Sequence, residues 1–142
     1  MGTSKLKVTG INHVVLHVAD LDRSQTFYMD VLGFEHRGTM SDGPGDMKAS
    51  FLRCGMQGLD LFEFAGRDVH GGEEMNHMAL NVDADDVSQV VAGLSVAGID
   101  TFEMTPRNSV FISDPDGHKI EMLPISANER DHERESVRTS GL

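Results

Sequence analysis

An internal repeat restricts the fold of this chain more than any other sequence feature. Segment 11–18, INHVVLHV, and segment 75–82, MNHMALNV, both read an apolar residue, Asn, His and an alternating apolar run that ends in Val, 64 residues apart. An acidic stretch follows each segment, and Asp and Ser side chains suit the free amides of a first helical turn. The apolar spacing then predicts one helix in each half, ending at Gly33 and at Gly98.

The ends of the two halves also correspond. Tight-turn sequences stand at 55–58 (GMQG) and 114–117 (DPDG), and each precedes an extended run. Each half therefore reads strand, helix and three strands, a unit too long for a solenoid repeat, which predicts a duplicated α+β module. Segment 38–48, with Gly-Pro-Gly inside it, is interpreted as a connector. We place an N-terminal extension at 1–10, βαβββ modules at 11–70 and 71–125, and a polar C-terminal tail at 126–142.

Charge and cysteine content exclude several classes of partner. The 142 residues include 12 Lys and Arg against 23 Asp and Glu, a formal net charge of −11, which would repel nucleic acid and anionic membranes. The single cysteine, Cys54, allows no disulfide within the chain and fits a reducing compartment. The first ten residues contain no apolar run typical of a signal peptide. We therefore expect a soluble, cytoplasmic protein that acts on a small molecule.

The alternation of strand side chains predicts which residues share a face. In the first strand His13 and His17 point to one side, and in its repeat His77 and Asn81 do so. Taking the last strands of the two halves as equivalent, we place Glu63 beside His13 and Glu121 beside His77. His17 and Asn81 lie on the same faces and are predicted to line a pocket.

One histidine and one carboxylate in each half form a candidate metal site. A lone strand histidine is ordinarily a surface or hydrogen-bonded residue, and a lone glutamate near a strand end is ordinarily a rim charge. The duplication favours ligands instead, since chance would have to place both pairs at equivalent positions. Two imidazoles and two carboxylates suit one divalent ion of Ni, Zn, Co, Mn or Fe. The predicted ligands are His13, Glu63, His77 and Glu121, of which Glu63 and Glu121 can also carry protons.

These motifs resemble the vicinal oxygen chelate superfamily, which includes glyoxalases, bleomycin resistance proteins and dioxygenases. The resemblance rests on the two Asn-His strands, the helices that follow them, the run 61–64, and the DPDG turn with the KIE sequence at 119–121. It implies two tandem βαβββ modules forming a curved sheet around a metal-binding cavity. Because the modules are small and have edge strands to cover, we also expect a homodimer.

Within that superfamily, the ligand order His, Glu, His, Glu is similar to glyoxalase I. This likeness implies a lyase that isomerises a thiol adduct through an enediolate, with Glu63 and Glu121 as catalytic groups. The bacterial enzyme has an arginine where this chain has His17, so we expect the reaction type but a substrate other than the glutathione adduct. Alternatives are an extradiol dioxygenase or a fosfomycin-modifying enzyme, both using His13, His77 and Glu121, or a drug-sequestering protein without metal.

Overall fold

The computed structural model describes residues 4–104, 108–126 and 129. The chain divides into two compact units, Met1–Val69 and His70–Leu142, and each is described by itself. Residues 4–10 of the predicted N-terminal extension contain no helix or strand, and neither do the two residues that follow. The predicted polar tail lies outside the described residues, apart from Ser126 and Glu129.

The first unit is a four-stranded sheet with a helix between its first two strands in the sequence. Strand β1 lies parallel to β4, and the other neighbours are antiparallel, in the order β1-β4-β3-β2. The helix α1 continues directly into a π-helical turn at Phe27–Val31. The elements are β1 His13–His17, α1 Leu21–Thr26, β2 Glu35–Gly43, β3 Met47–Cys54 and β4 Gln57–Glu63.

The second unit repeats this topology, with strand order β5-β8-β7-β6 and a parallel pair β5 and β8. The predicted α+β fold of two βαβββ modules is therefore confirmed. In the part of the chain that the structure describes, no helix is both long and apolar enough to span a membrane. The elements are β5 Met78–Asp83, α2 Val87–Val96, β6 Phe102–Met104, β7 Val110–Ser113 and β8 Lys119–Ile125.

Each sheet buries one face under its own helix. Burying an apolar side chain of this size stabilises a fold by roughly 1.5–3 kcal/mol, so these faces supply most of the driving force for folding. We call this side the helix face and the opposite side the histidine face. The buried apolar residues include Leu16, Val18, Phe27, Tyr28, Leu52, Leu59 and Leu61 in the first unit, and Val87, Val90, Leu94, Val110, Ile112, Ile120 and Met122 in the second.

Both helices begin at an aspartate, as the acidic stretches predict. The Asp20 carboxylate accepts the Arg23 N–H at 3.0 Å, and the Asp86 carboxylate accepts the Gln89 N–H at 3.0 Å. A hydrogen bond from the Ser88 hydroxyl, followed by the Gln89 amide, lowers the pKa of Asp86. These bonds satisfy amides that a first helical turn leaves without an intrahelical partner.

The interpretation of segment 38–48 as a connector is wrong. Most of it belongs to β2, which pairs with β3, and a short 3-10 turn at Pro44–Asp46 separates the two strands. β2 is an edge strand whose residues are almost all exposed, so its sequence carries no apolar alternation. Backbone pairing to β3, interrupted by two register shifts, forms this strand without side-chain burial.

Candidate metal centre

In the second unit, His77 and Glu121 form a close pair, which we call the second pair. Register places Ala79 beside Glu121, so Glu121 lies on the same face as His77. His77 Nε2 is 3.3 Å from Glu121 Oε2, and the Glu121 side chain is only 7% exposed. The Ser109 hydroxyl donates to Glu121 Oε1 at 2.7 Å. One carboxylate oxygen is thus hydrogen-bonded while the other faces the imidazole. The sequence predicted only that Glu121 lies on the same face as His77.

Aromatic rings hold the His77 imidazole in place. The Phe111 ring meets it edge to face at a centroid distance of 5.1 Å, and Phe102 stacks on Phe111 at 5.9 Å. Phe111 is the β7 partner of Glu121 in the sheet, so it presents its ring on the histidine face. His77 Nδ1 is 2.8 Å from the Asn76 Oδ1 atom. Contacts with Asn76, Phe111 and Glu121 together fix the orientation of the ring.

In the first unit, the carboxylate beside His13 belongs to Asp60. Register places Val15 beside Asp60, in the same way that Ala79 lies beside Glu121. His13 Nε2 is 3.7 Å from Asp60 Oδ2, and the Asp60 side chain is 14% exposed. His13 Nδ1 is 2.8 Å from Asn12 Oδ1, the same distance as in the second unit. His13 and Asp60, which we call the first pair, are therefore the counterparts of His77 and Glu121.

The prediction that Glu63 shares a face with His13 is wrong. Glu63 follows Phe62, the β4 partner of His17, so its side chain points to the opposite side, the helix face. There its Oε2 accepts the Leu21 N–H at 2.7 Å, at the start of α1. Lys48 Nζ lies 3.9 Å from its other oxygen. A shift of one residue moves every side chain of a strand to the opposite face, and the run LFEF carries apolar residues at both parities.

Sequence reasoning missed Asp60, although a signal for it exists. Glu121 stands between two core residues, in Ile120-Glu121-Met122, and both neighbours are buried. The equivalent triplet in the first half is Leu59-Asp60-Leu61, whose leucines are also buried. An acid flanked by two core residues must point to the face opposite the helix. Matching these triplets, instead of the glutamates, identifies the counterpart.

The two residues predicted to line a pocket do lie on the histidine faces. His17 Nδ1 is 3.1 Å from an Arg67 guanidinium nitrogen, and its ring lies 5.4 Å from that of Phe64. Arg67 also lies over the Phe64 ring at 5.2 Å, a cation–π contact. Asn81 is exposed on β5. The role of both residues in a pocket stays a prediction.

Two other groups with possible chemistry have local explanations. Asp114, Asp116 and His118 could together hold an ion, with ligand atoms within 4.8 Å. However, Asp114 Oδ1 accepts the N–H groups of Asp116 and His118, each at 2.9 Å, which closes the DPDG turn. Burial raises the pKa of the Cys54 thiol, which disfavours the reactive thiolate.

Each pair offers an imidazole nitrogen and a carboxylate oxygen, donor types that divalent ions bind in proteins. Two ligands bound to one ion at about 2.0–2.2 Å lie roughly 2.8–3.6 Å apart for octahedral or tetrahedral angles. The separation of 3.3 Å in the second pair falls in this range, and 3.7 Å in the first pair lies slightly above it. A metal-binding histidine ordinarily donates its second N–H to an oxygen, and Asn12 and Asn76 supply that oxygen here. The residues therefore fit a metal.

Comparison with known proteins decides the family. The sequence profile of the Glyoxalase/Bleomycin resistance protein/Dioxygenase superfamily matches residues 10–122. The chain belongs to this superfamily. It is 27% identical over 125 residues to the metallothiol transferase FosB of Staphylococcus epidermidis, covering 82% of each chain. It is 32% identical over 131 residues to the lactoylglutathione lyase of Haemophilus influenzae, covering 80% of this chain and 90% of that one.

Solved structures of the superfamily share the fold. A mutant of the fosfomycin resistance protein FosX from Listeria monocytogenes, complexed with Mn(II) and a dihydroxypropylphosphonic acid, matches with a TM-score of 0.69. That match is 20% identical and covers 87% of this chain and 98% of the other. The family resemblance inferred from the repeat and its motifs is confirmed.

Proposed function

We propose that this chain is a metal-dependent enzyme of the glyoxalase type, a lyase or isomerase that moves a proton between adjacent carbons of a small oxygenated substrate. The observation that carries the proposal is that each unit holds a histidine and a carboxylate at the same register position. A protein that only sequesters a ligand would need no such duplicated pair. The relatives named lactoylglutathione lyase and metallothiol transferase support an enzymatic role.

The proposed ligands of one divalent ion are His13, Asp60, His77 and Glu121, with Asp60 replacing the expected Glu63. When bound, such an ion polarises two neighbouring substrate oxygens as a Lewis acid. The proposal allows the two pairs to come from one chain or from two copies in a homodimer. The negative charges of the two carboxylates balance the charge of a divalent ion, since both imidazoles are neutral.

Glu121 is the proposed proton carrier. Ser109 occupies its Oε1, so the lone pair of Oε2 that is not directed at the proposed ion would take a proton from one substrate carbon and return it to the next. No atom is gained or lost in this transfer, as an isomerisation requires. The carboxylate is largely buried, which keeps water from competing for the proton.

A three-ligand thiol transferase is the second candidate. The second pair is closer and more buried than the first, so His77 and Glu121 with His13 could hold an ion without Asp60. The relative named metallothiol transferase favours this alternative. Both candidates require a stoichiometric metal ion, but only the isomerase uses the fourth ligand, the Asp60 carboxylate.

Metal content and a matched pair of variants on β4 test the proposal. We expect about one divalent ion for each set of four ligands, and isomerase turnover on adducts of 2-oxoaldehydes with a panel of thiols. Asp60→Asn should lower kcat/KM by at least about 10–100-fold, the loss that follows when even an outer-shell partner of a metal ligand is removed. Glu63→Gln, three residues away on the helix face, is the control and should leave kcat/KM unchanged.

Each other outcome has a defined meaning. Loss of turnover in Glu63→Gln with none in Asp60→Asn would restore Glu63 as the ligand. Thiol addition to fosfomycin at a rate that Asp60→Asn leaves unchanged would establish the three-ligand thiol transferase. A folded protein that binds no divalent ion would contradict both enzymatic candidates.

A further inference from the structure

We infer that Asn12 and Asn76 are positioning residues that select the tautomer of the histidine following each of them. Each asparagine would hold the proton on Nδ1 and thereby leave the Nε2 lone pair directed at the carboxylate. The inference extends the proposed function, on which it rests only where it concerns the metal. The tautomer itself is a property of the metal-free chain.

The contact between Asn and His is identical in the two units. The Nδ1–Oδ1 distance is 2.8 Å for Asn12 with His13 and 2.8 Å for Asn76 with His77. Successive side chains within a strand point to opposite faces, so neighbours in a regular strand do not ordinarily meet. Both asparagines precede their strands, since β1 begins at His13 and β5 at Met78. Each side chain can therefore turn back toward the ring.

The backbone anchors the first of these asparagines. The Asn12 carbonyl accepts the Gly58 N–H at 2.8 Å, which ties the residue before β1 to β4. Gly58 also lies beside the histidine, because a Cβ placed on it would come within 2.7 Å of the His13 Cβ. The asparagine and the histidine are thus held by the same neighbouring strand.

Hydrogen-bond chemistry fixes the proton. An amide oxygen only accepts, so the nitrogen facing it must carry the hydrogen, and a neutral imidazole then has its lone pair on the other nitrogen. In both pairs that other nitrogen, Nε2, is the one nearest the carboxylate oxygen. The carboxylate oxygen is a competing acceptor, but it lies 3.7 Å from Nε2 in the first pair and 3.3 Å in the second, farther than the 2.8 Å contacts with asparagine. A cation between the Nε2 lone pair and the anionic oxygen removes their repulsion. The selected tautomer therefore prepares each pair for a cation.

His17 provides a contrast on the same strand face. Its Nδ1 is 3.1 Å from an Arg67 nitrogen, and a guanidinium only donates. His17 Nδ1 must therefore accept, which puts its proton on Nε2. The first unit is thus expected to hold His13 and His17 in opposite tautomers, four residues apart on one strand.

The test is the ¹⁵N chemical shift pattern of the imidazoles in the metal-free, full-length protein. Spectra recorded at alkaline pH, where the imidazole signals no longer change with pH, report neutral rings. We expect the Nδ1–H tautomer for His13 and His77 and the Nε2–H tautomer for His17. The variants H13Q, H17Q and H77Q assign the signals, each by the loss of one ring.

Substitution of the asparagines tests the cause, and each unit serves as the control for the other. Asn76→Leu should remove the Nδ1–H preference of His77 and leave His13 unchanged, and Asn12→Leu should do the reverse. Asn12→Asp and Asn76→Asp keep an accepting oxygen and should restore the wild-type pattern. Zinc titration should show affinity lowered by about 10–100-fold in the Leu variants and recovered in the Asp variants.

The outcomes separate this inference from the proposed function. The Nε2–H tautomer for His13 and His77 in the wild-type protein would overturn the inference, and this measurement needs no variant to fold. So would Leu variants that fold and keep the wild-type pattern. If the tautomers and their response are as expected but the protein binds no divalent ion, the inference stands and the proposed function fails.

Discussion

The first and second pairs have the same backbone frame but different support. Each has an Asn-His dipeptide and a carboxylate at the same register position. In the second pair the atoms are 3.3 Å apart and a serine hydroxyl holds the carboxylate, whereas in the first pair they are 3.7 Å apart. Ala49, two residues before Phe51, occupies the position that Ser109 holds before Phe111, so the first unit has a methyl group there.

This difference teaches that the duplication preserves register more strictly than it preserves side chains. The two histidines are 64 residues apart, but Asp60 and Glu121 are 61 apart, because the connections between the strands differ in length. Backbone hydrogen bonds set the register of each strand with its neighbour independently of connection length, so each carboxylate still lies beside its histidine. A serine hydroxyl fixes the carboxylate in the second unit, whereas the equivalent position of the first unit is Ala49, so we expect the second pair to contribute more to binding and turnover.

The largest expected effect is that of Glu121→Gln on turnover. Loss of the proton acceptor should lower kcat/KM by on the order of 10²–10⁴-fold, the usual share of general acid–base catalysis. This loss should exceed that of Asp60→Asn, measured with the same substrate and with metal content determined for each protein. Glu35→Gln, at an exposed position, is the control. An equal or larger loss in Asp60→Asn would break the proposed ranking of the pairs.

Ser109→Ala sharpens the comparison by removing the support that the first pair lacks. Ser109 is fully buried and bonds a carboxylate, so its loss should lower the free energy of unfolding by about 1.5–3 kcal/mol, measured by urea denaturation. Ser50→Ala is a matched control, since Ser50 is equally buried and donates at 2.7 Å to the neutral Gln25 amide. That bond should contribute about 0.5–1.5 kcal/mol. Equal losses would show that the carboxylate bond has no special weight.

The repeat made the fold predictable, whereas register limited the prediction of the site. His13, His77 and Glu121 follow from local patterns, because each stands in a segment whose alternation has one clear apolar face. Asp60 does not, since both faces of β4 carry apolar side chains near Phe62 and only pairing with β1 decides between them. The extent of β2 through segment 38–48 was missed for a related reason, because an exposed edge strand leaves no apolar pattern in the sequence.

Glu63→Gln tests a difference between the helix faces of the two units. Glu63 accepts the first amide of α1, whereas three residues after Glu121 the second unit has Pro124. A carboxylate at a helix N-terminus contributes about 0.3–1 kcal/mol, and glutamine keeps an accepting oxygen but loses the charge. We expect the free energy of unfolding to fall by that amount, with metal content unchanged. A loss of metal without a loss of stability would return Glu63 to the metal centre.

The smallest effect concerns the two helix caps. Asp20 and Asp86 accept an amide at the same distance, but the Ser88 hydroxyl also bonds Asp86 and is the first cause of its lowered pKa. A carboxylate whose pKa is lower in the folded state stabilises the fold above its ordinary pKa of about 3.9, and this contribution disappears as the pH falls through the folded value.

Asp86→Asn keeps the oxygen that accepts the Gln89 N–H and removes only the charge. The difference in the free energy of unfolding between wild type and this variant should therefore be constant near neutral pH and shrink below about pH 4. Urea denaturation across this range measures it. Ser88→Ala should flatten the same pH dependence, because it removes the main cause of the pKa shift while leaving the carboxylate in place. A difference that grows as the pH falls would mean that the fold stabilises the protonated form of Asp86, which would contradict the lowered pKa of this carboxyl.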